Sequence, residues 1–350
     1  MDQIKISLEN SIMVKGSPAA AGSKILENFI SPLDAEVVER LRNAGMEITV
    51  TTDMKEFGIS GVIENDVIKN TAVPKLCNDL FGQYRRDAAE SGLCYIHPTY
   101  GTVSRYGLIP MASSMDQIGV MCENLTDGFK ILSVIAGNDP KDGAMYPDEI
   151  YKYENIGGDI KIGVPNEIIN KADTKMQNAI REFVSKFAGV DCELNYFDVC
   201  PQVMYILSSA EISNNISRYD GVKFGYRSPD ATNLESLYEK TRTEGFGIET
   251  KLAAIMGSMV LSADKYEVYY EKAMKVRRLV KESLSFDNYD LLILPVSISG
   301  SSYENLALYS IATLAGLPSV SFEYNGAGIQ LIAKPKNENA LLTAWEAVKQ

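Results

Sequence analysis

Chemistry needs a nucleophile with a base in reach, a metal-binding cluster or two carboxylates held together, and these 350 residues offer few candidates for any of them. His97 is the only histidine, with Cys94 three residues before it. A cysteine and a histidine in contact would make a nucleophile–base dyad. Leu93 to Ile96 reads as a strand, however, and an odd separation sends the two side chains to opposite faces. His97 is therefore read as packed or partly exposed. The pairs Ser113-Ser114, Ser208-Ser209 and Ser301-Ser302 have no Lys or His beside them, and caps or turns account for such serines. Asp116 with Asp79 or Glu56 would make an acid pair, but no spacing brings them together, so solvated or capping roles are expected. Cys77, Cys94, Cys122, Cys192 and Cys200 form no C-x-x-C pair and are odd in number, which fits reduced thiols. Neither a metal nor a cofactor is implied.

The elements that must position such residues alternate between helical and extended patterns, which argues for an α/β layered fold. Asp34 is placed to cap a helix over Ala35 to Ala44, followed by a strand over Met46 to Thr51. A second unit runs from the strand Lys161 to Val164 through a helix at Ala172 to Ala188 into a strand-like Cys192 to Val199. Leu234 to Glu282 reads as long amphipathic helices, broken near Gly245 and Gly247. Tyr289 to Pro295 is a continuous apolar run, as in a strand covered on both faces, and Gly328 to Lys334 supplies another strand. One domain over residues 1–350 is expected, with the helical middle at about 200–285 as a possible subdomain.

Composition removes several classes of function. The net charge of -12 opposes contact with a phosphate backbone, so no direct nucleic-acid binding is expected. No apolar stretch reaches the roughly 20 residues of a membrane span and no basic leader opens the chain, so a cytoplasmic location without membrane contact is expected.

Several long stretches carry a resemblance. Ser23-Lys24-Ile25-Leu26-Glu27-Asn28-Phe29 is followed by Asp34-Ala35 and Val37-Val38-Glu39-Arg40-Leu41. Further on come Pro98-Thr99-Tyr100-Gly101, Val103-Ser104-Arg105-Tyr106-Gly107-Leu108 and Ala112-Ser113-Ser114-Met115-Asp116-Gln117-Ile118-Gly119. Arg218-Tyr219-Asp220-Gly221-Val222, Glu244-Gly245-Phe246-Gly247 and Leu314-Ala315-Gly316-Leu317-Pro318 complete the set in order. In these letters the chain resembles the amidase-signature family, in particular its branch of glutamyl/aspartyl-tRNA amidotransferase A subunits. The resemblance implies a mixed β-sheet core of about a dozen strands surrounded by helices.

It also implies a catalytic set of a Ser nucleophile, a second Ser and a Lys that moves protons between them. Counting back from Val14-Lys15-Gly16 puts Glu9 at the Lys position. The nucleophile motif D-T-G-G-S-I-R aligns with Asp79-Leu80-Phe81-Gly82-Gln83-Tyr84-Arg85, so Gln83 stands for the nucleophile and Phe81 for an oxyanion-hole glycine. Between Asn65 and Val73 only a short connection stands where the family carries its Gly/Ser-rich signature with the second Ser. The N-terminal helical segment is likewise expected to be missing. Ala253 falls where an Arg clamps the glutamine α-carboxylate, and Leu306 falls near the position of an Asp that holds its amino group.

From this set the chain reads as a catalytically inactive relative with no catalytic residue. Glu9 and Gln83 are its degenerate positions, and Phe81, Gly82, Gln83, Tyr84, Arg85 and Ala253 a remnant pocket. Such a protein would bind or scaffold, through self-association or a protein partner such as an amidotransferase sister subunit. The alternatives are an active glutamine amidotransferase or amidase with a rebuilt site, and a small-molecule sensor.

Overall fold

Apolar runs too short for helices become strands. Leu291–Pro295 and Ala327–Ala333 are buried at every position, as strands covered on both faces must be. A computed structural model describes residues 4–59, 74–148 and 150–349, and the short connection between Asn65 and Val73 lies outside them. Among the described residues one sheet holds ten strands. They are β1 (Lys5–Glu9), β2 (Glu47–Thr51), β3 (Lys75–Asn78), β4 (Cys94–His97), β5 (Ile118–Cys122), β6 (Lys161–Val164), β7 (Ala188–Asp191), β8 (Leu291–Pro295), β9 (Ser319–Tyr324) and β10 (Ala327–Ala333). Their order is β2-β1-β3-β5-β4-β9-β10-β8-β6-β7. The two ends, β2-β1-β3 and β8-β6-β7, are parallel, and the ladders between them are antiparallel. The expected mixed sheet is thus present.

Helices cover the sheet. Along the chain they are α1 (Glu36–Asn43), α2 (Gln83–Glu90), α3 (Leu125–Ile135), α4 (Asn166–Ile169), α5 (Thr174–Val184) and α6 (Cys200–Asn215). After them come α7 (Leu234–Gly245), α8 (Ile248–Val260), α9 (Lys272–Ser283), α10 (Ser302–Ala315) and α11 (Glu338–Lys349). Among the described residues none is long and apolar enough to cross a membrane. Two local expectations need correction. Ala35, not Asp34, stands at the N-cap of α1, and the Asp34 carboxylate instead accepts the Lys15 backbone N–H at 2.8 Å and pairs with Arg42. The strand after α5 is Ala188–Asp191, ahead of the segment 192–199, whose residues Phe197–Val199 form a 3-10 turn.

The start of α2 is fixed by Asp79. Asp79 accepts the backbone N–H groups of Tyr84 at 3.0 Å and Arg85 at 3.2 Å, so two of the orphan donors of the first turn are satisfied by one carboxylate. The same carboxylate takes the Arg85 Nε at 2.8 Å, and both side chains are buried. Arg85 then donates to the Tyr309 carbonyl at 3.1 Å and to the Thr313 hydroxyl at 2.9 Å, which ties α2 to α10. Gly82, with φ at +85°, lets α10 come this close, since a Cβ on it would stand 2.1 Å from Tyr309 Cγ. Gly82→Ala should therefore cost about 2–4 kcal/mol in chemical denaturation, through the left-handed backbone and the clash together. A loss below about 1 kcal/mol would mean that α10 gives way easily.

Candidate active site

β1 carries Glu9 into the interior, where it is 1% exposed. A carboxyl group there must be fully hydrogen-bonded or neutral. Oε1 accepts the Asn78 backbone N–H at 2.9 Å and the Ser11 hydroxyl, while Oε2 accepts the Tyr84 hydroxyl at 2.9 Å. Asn78 comes from the neighbouring parallel strand β3 and Tyr84 from the first turn of α2. On β3 the buried Lys75 has its ammonium 5.0 Å from the centre of the Tyr84 ring and donates to the Asp53 carbonyl at 3.1 Å. Burial raises the Glu9 carboxyl above its usual range, although Ser11, Asn78, Lys75 and Tyr84 all pull the other way. Burial, with Glu9 adjoining, also pushes the Tyr84 phenol and the Cys77 thiol well up. The result is a hydroxyl on a carboxylate whose orientation other groups fix, the layout of a nucleophile and its base.

The residues expected to share one pocket separate across α2. Phe81 and Ala253 meet in a groove of about 360 Å³ between α6 and α8. Gly82 and Gln83 line a much smaller cavity of about 20 Å³ beside it, together with Leu306 and Tyr309. The Gln83 amide donates to the Asp87 carboxylate at 2.5 Å. Tyr84 and Arg85 belong to neither space, because one is turned to Glu9 and the other to Asp79 and Thr313. Phe81 lines both the groove and the cavity and stacks 6.1 Å from Tyr205, which also stacks 5.7 Å from Tyr303. Reading the sequence missed Tyr205, Ser11 and Lys75. A lysine opening the buried Lys75–Asn78 strand was the one available signal.

Other candidates take structural places. His97 is fully buried, and burial with the nearby Arg85 holds its imidazole well below the ordinary value, hence neutral. The Cys94 thiol points elsewhere, to the Glu123 carbonyl. Asp116 is buried rather than solvated, and accepts from the Asn78 amide at 2.9 Å and from the backbone of Met111 and Ala112. Glu56 accepts from Ser23, Thr250 and the Gly247 backbone. Ser301 caps α10 in a capping box with Glu304.

Known proteins share this frame. A model of the amidase family matches residues 3–82 and 76–342. The glutamyl-tRNA(Gln) amidotransferase A subunit of Lachnoclostridium phytofermentans is 34% identical over 410 aligned positions, covering 99% of this chain and 83% of that protein. The protein of the same name from Macrococcus caseolyticus is 36% identical, covering 97% of this chain and 82% of its own length. Among solved structures, the corresponding A subunit of Thermotoga maritima superposes with a TM-score of 0.76 at 25% identity, over 99% of this chain and 82% of that one. A peptide amidase from Stenotrophomonas maltophilia shares the fold, with a TM-score of 0.77 at 22% identity over 99% of this chain and 82% of that one. These likenesses overturn the reading of the chain as a catalytically inactive scaffold. Proteins that match 97–99% of it bear the name of an enzyme component, which points to an enzyme. The chain belongs to the amidase family.

Proposed function

We propose that this chain is an amide-cleaving subunit of the amidotransferase kind, which hydrolyses a carboxamide to a carboxylate and ammonia at a rebuilt site and works beside a protein partner. The observation that carries this reading is the match, along nearly the whole chain, to proteins named as the A subunit of an amidotransferase. The local geometry supports a route. Glu9 takes the Ser11 proton as Ser11 Oγ attacks the carboxamide carbon, and returns it to the leaving nitrogen as the C–N bond breaks. Ammonia leaves, and water then releases the acyl group by the reverse transfer. A carboxyl group raised by burial is nearer to the working pH than an exposed glutamate, which is what such a proton carrier needs. Tyr84 and Asn78 are positioning residues that hold the carboxylate toward Ser11.

Two outcomes follow. With the purified chain, alone and with its copurifying partner, ammonia release from primary carboxamides should fall at least ~100-fold in Ser11→Ala and in Glu9→Gln, because the members of such a set act as a unit. An activated fluorophosphonate should label Ser11. Labelling at another residue would remove Ser11 from its role, and the absence of ammonia release under every condition would remove the reaction itself. Stability gives the second outcome. A glutamate whose folded value lies above the usual 4.5 contributes stability that is fully present below that pH and lost as pH rises through the folded value. Glu9→Gln removes that loss. The melting temperature of Glu9→Gln relative to the parent chain should therefore climb as pH rises above 4.5, and a pH-independent difference would contradict the raised value.

A further inference from the structure

We infer that Lys75 is a positioning residue of this site, whose charge, acting through the aromatic ring of Tyr84, keeps Glu9 ready to accept the Ser11 proton. The inference rests on the amide-cleaving reading above and names what regulates the proton carrier in it. Ser7 of β1 pairs in parallel with Lys75 of β3, so Glu9, two residues on, shares a sheet face with Lys75 and Cys77. Tyr84, whose hydroxyl donates to Glu9 Oε2 at 2.9 Å, covers that face from α2. The Lys75 ammonium stands over the same ring, 5.0 Å from its centre. One aromatic side chain thus has a cation against its ring and a carboxylate at its hydroxyl.

Packing alone does not account for Lys75. It is 1% exposed, yet among the described residues its ammonium makes a single hydrogen bond, to the Asp53 carbonyl at 3.1 Å, and no carboxylate pairs with it. Burying a cation without an ion-pair partner costs stability, and an apolar side chain of the same length would fill the space without that cost. What the charge supplies lies at the ring. A cation over its face makes the phenol O–H a stronger donor, and a stronger bond to Glu9 favours the ionised carboxyl. The groups that face Glu9 from the packed elements are Thr51 on β2, Lys75 and Cys77 on β3, Tyr84 on α2 and Tyr95 on β4, and Lys75 is the one cation among them. Asp79 and Arg85 nearby pair with each other. Lys75 and the Tyr84 bond both pull Glu9 toward the ionised form, against burial. The proton transfer needs that form, because only an ionised Glu9 can take the Ser11 proton.

Two readouts on the full chain test this together: ammonia release from propionamide and from glutamine across pH, and the Glu9 midpoint followed by carbon-13 NMR. In Lys75→Met the midpoint should rise, and release should fall at least ~10-fold at pH values below it while recovering as pH rises, with KM unchanged. Lys75→Arg, which keeps a cation for the ring, should hold both readouts near those of the parent chain. If Lys75→Met does not fold, Lys75→Gln replaces it, since its amide can still donate to the Asp53 carbonyl without the charge. In a Tyr84→Phe background the neutral variant should move the midpoint less than it does in the parent, because the hydroxyl that carries the effect is gone. The inference falls if the neutral variants leave midpoint and profile unchanged, if activity drops equally at every pH, or if the movement is as large without the Tyr84 hydroxyl. A midpoint that moves as stated, with no ammonia release from any carboxamide, keeps this inference and sinks the amide-cleaving reading. Ammonia release with an unmoved profile in the neutral variants does the reverse.

Discussion

The hydrogen bonding of one buried carboxyl group organises the middle of this structure. Glu9 sits at the end of a strand where solvation is lost, and its oxygens can be satisfied only if three separate pieces of chain arrive together. The Ser11 hydroxyl comes from the turn after β1, the Asn78 N–H from the end of β3, and the Tyr84 hydroxyl from the first turn of α2. Moving any one of them leaves a buried acceptor bare, which is costlier than the bond itself is favourable. The register of β1 on β3 and the placement of α2 are thereby coupled to one side chain.

The second constraint, the Asp79–Arg85 pair, sets which way α2 faces. With Asp79 holding the first-turn N–H groups and Arg85 reaching α10, the helix can present Tyr84 only toward β1 and Phe81 only toward α6. A buried ion pair of this sort specifies geometry more than it stabilises. It explains why letters shared with a nucleophile motif, Asp79, Gly82 and Arg85, persist here as architecture. They build a tight turn and a helix start whatever residue stands at position 83, and Glu9 and Ser11 lie on the strand side of that turn.

Much of the sheet was legible because buried strands write themselves as apolar runs: Lys161–Val164 coincides with its expectation, and Tyr289 to Pro295 contains Leu291–Pro295. The edge strand Ala188–Asp191 was misplaced because it is largely exposed and carries no apolar pattern, while the residues after it alternate as a strand would. At the site, the aligned motif falls on the first turn of α2, but its letters do not give the directions of its side chains. Those depend on Tyr309, Tyr205 and Thr313, more than a hundred residues away in sequence. The surroundings of Glu9 were hidden for a related reason. Its meaning lies in Ser11, Lys75 and Tyr84, and only the fold brings Lys75 and Tyr84 beside it.

The measurement that bears most directly on this account is the titration of Glu9 itself, followed by carbon-13 NMR of side-chain carboxyls and assigned through the loss of one resonance in Glu9→Gln. The account predicts a midpoint above the usual 4.5, moved higher still in Ser11→Ala, because removing a hydrogen bond to the charged form favours the neutral one. A midpoint at or below 4.5, or one indifferent to Ser11, would contradict it. Glu9 would then be an ordinary paired carboxylate, and the proton carrier would have to be sought elsewhere.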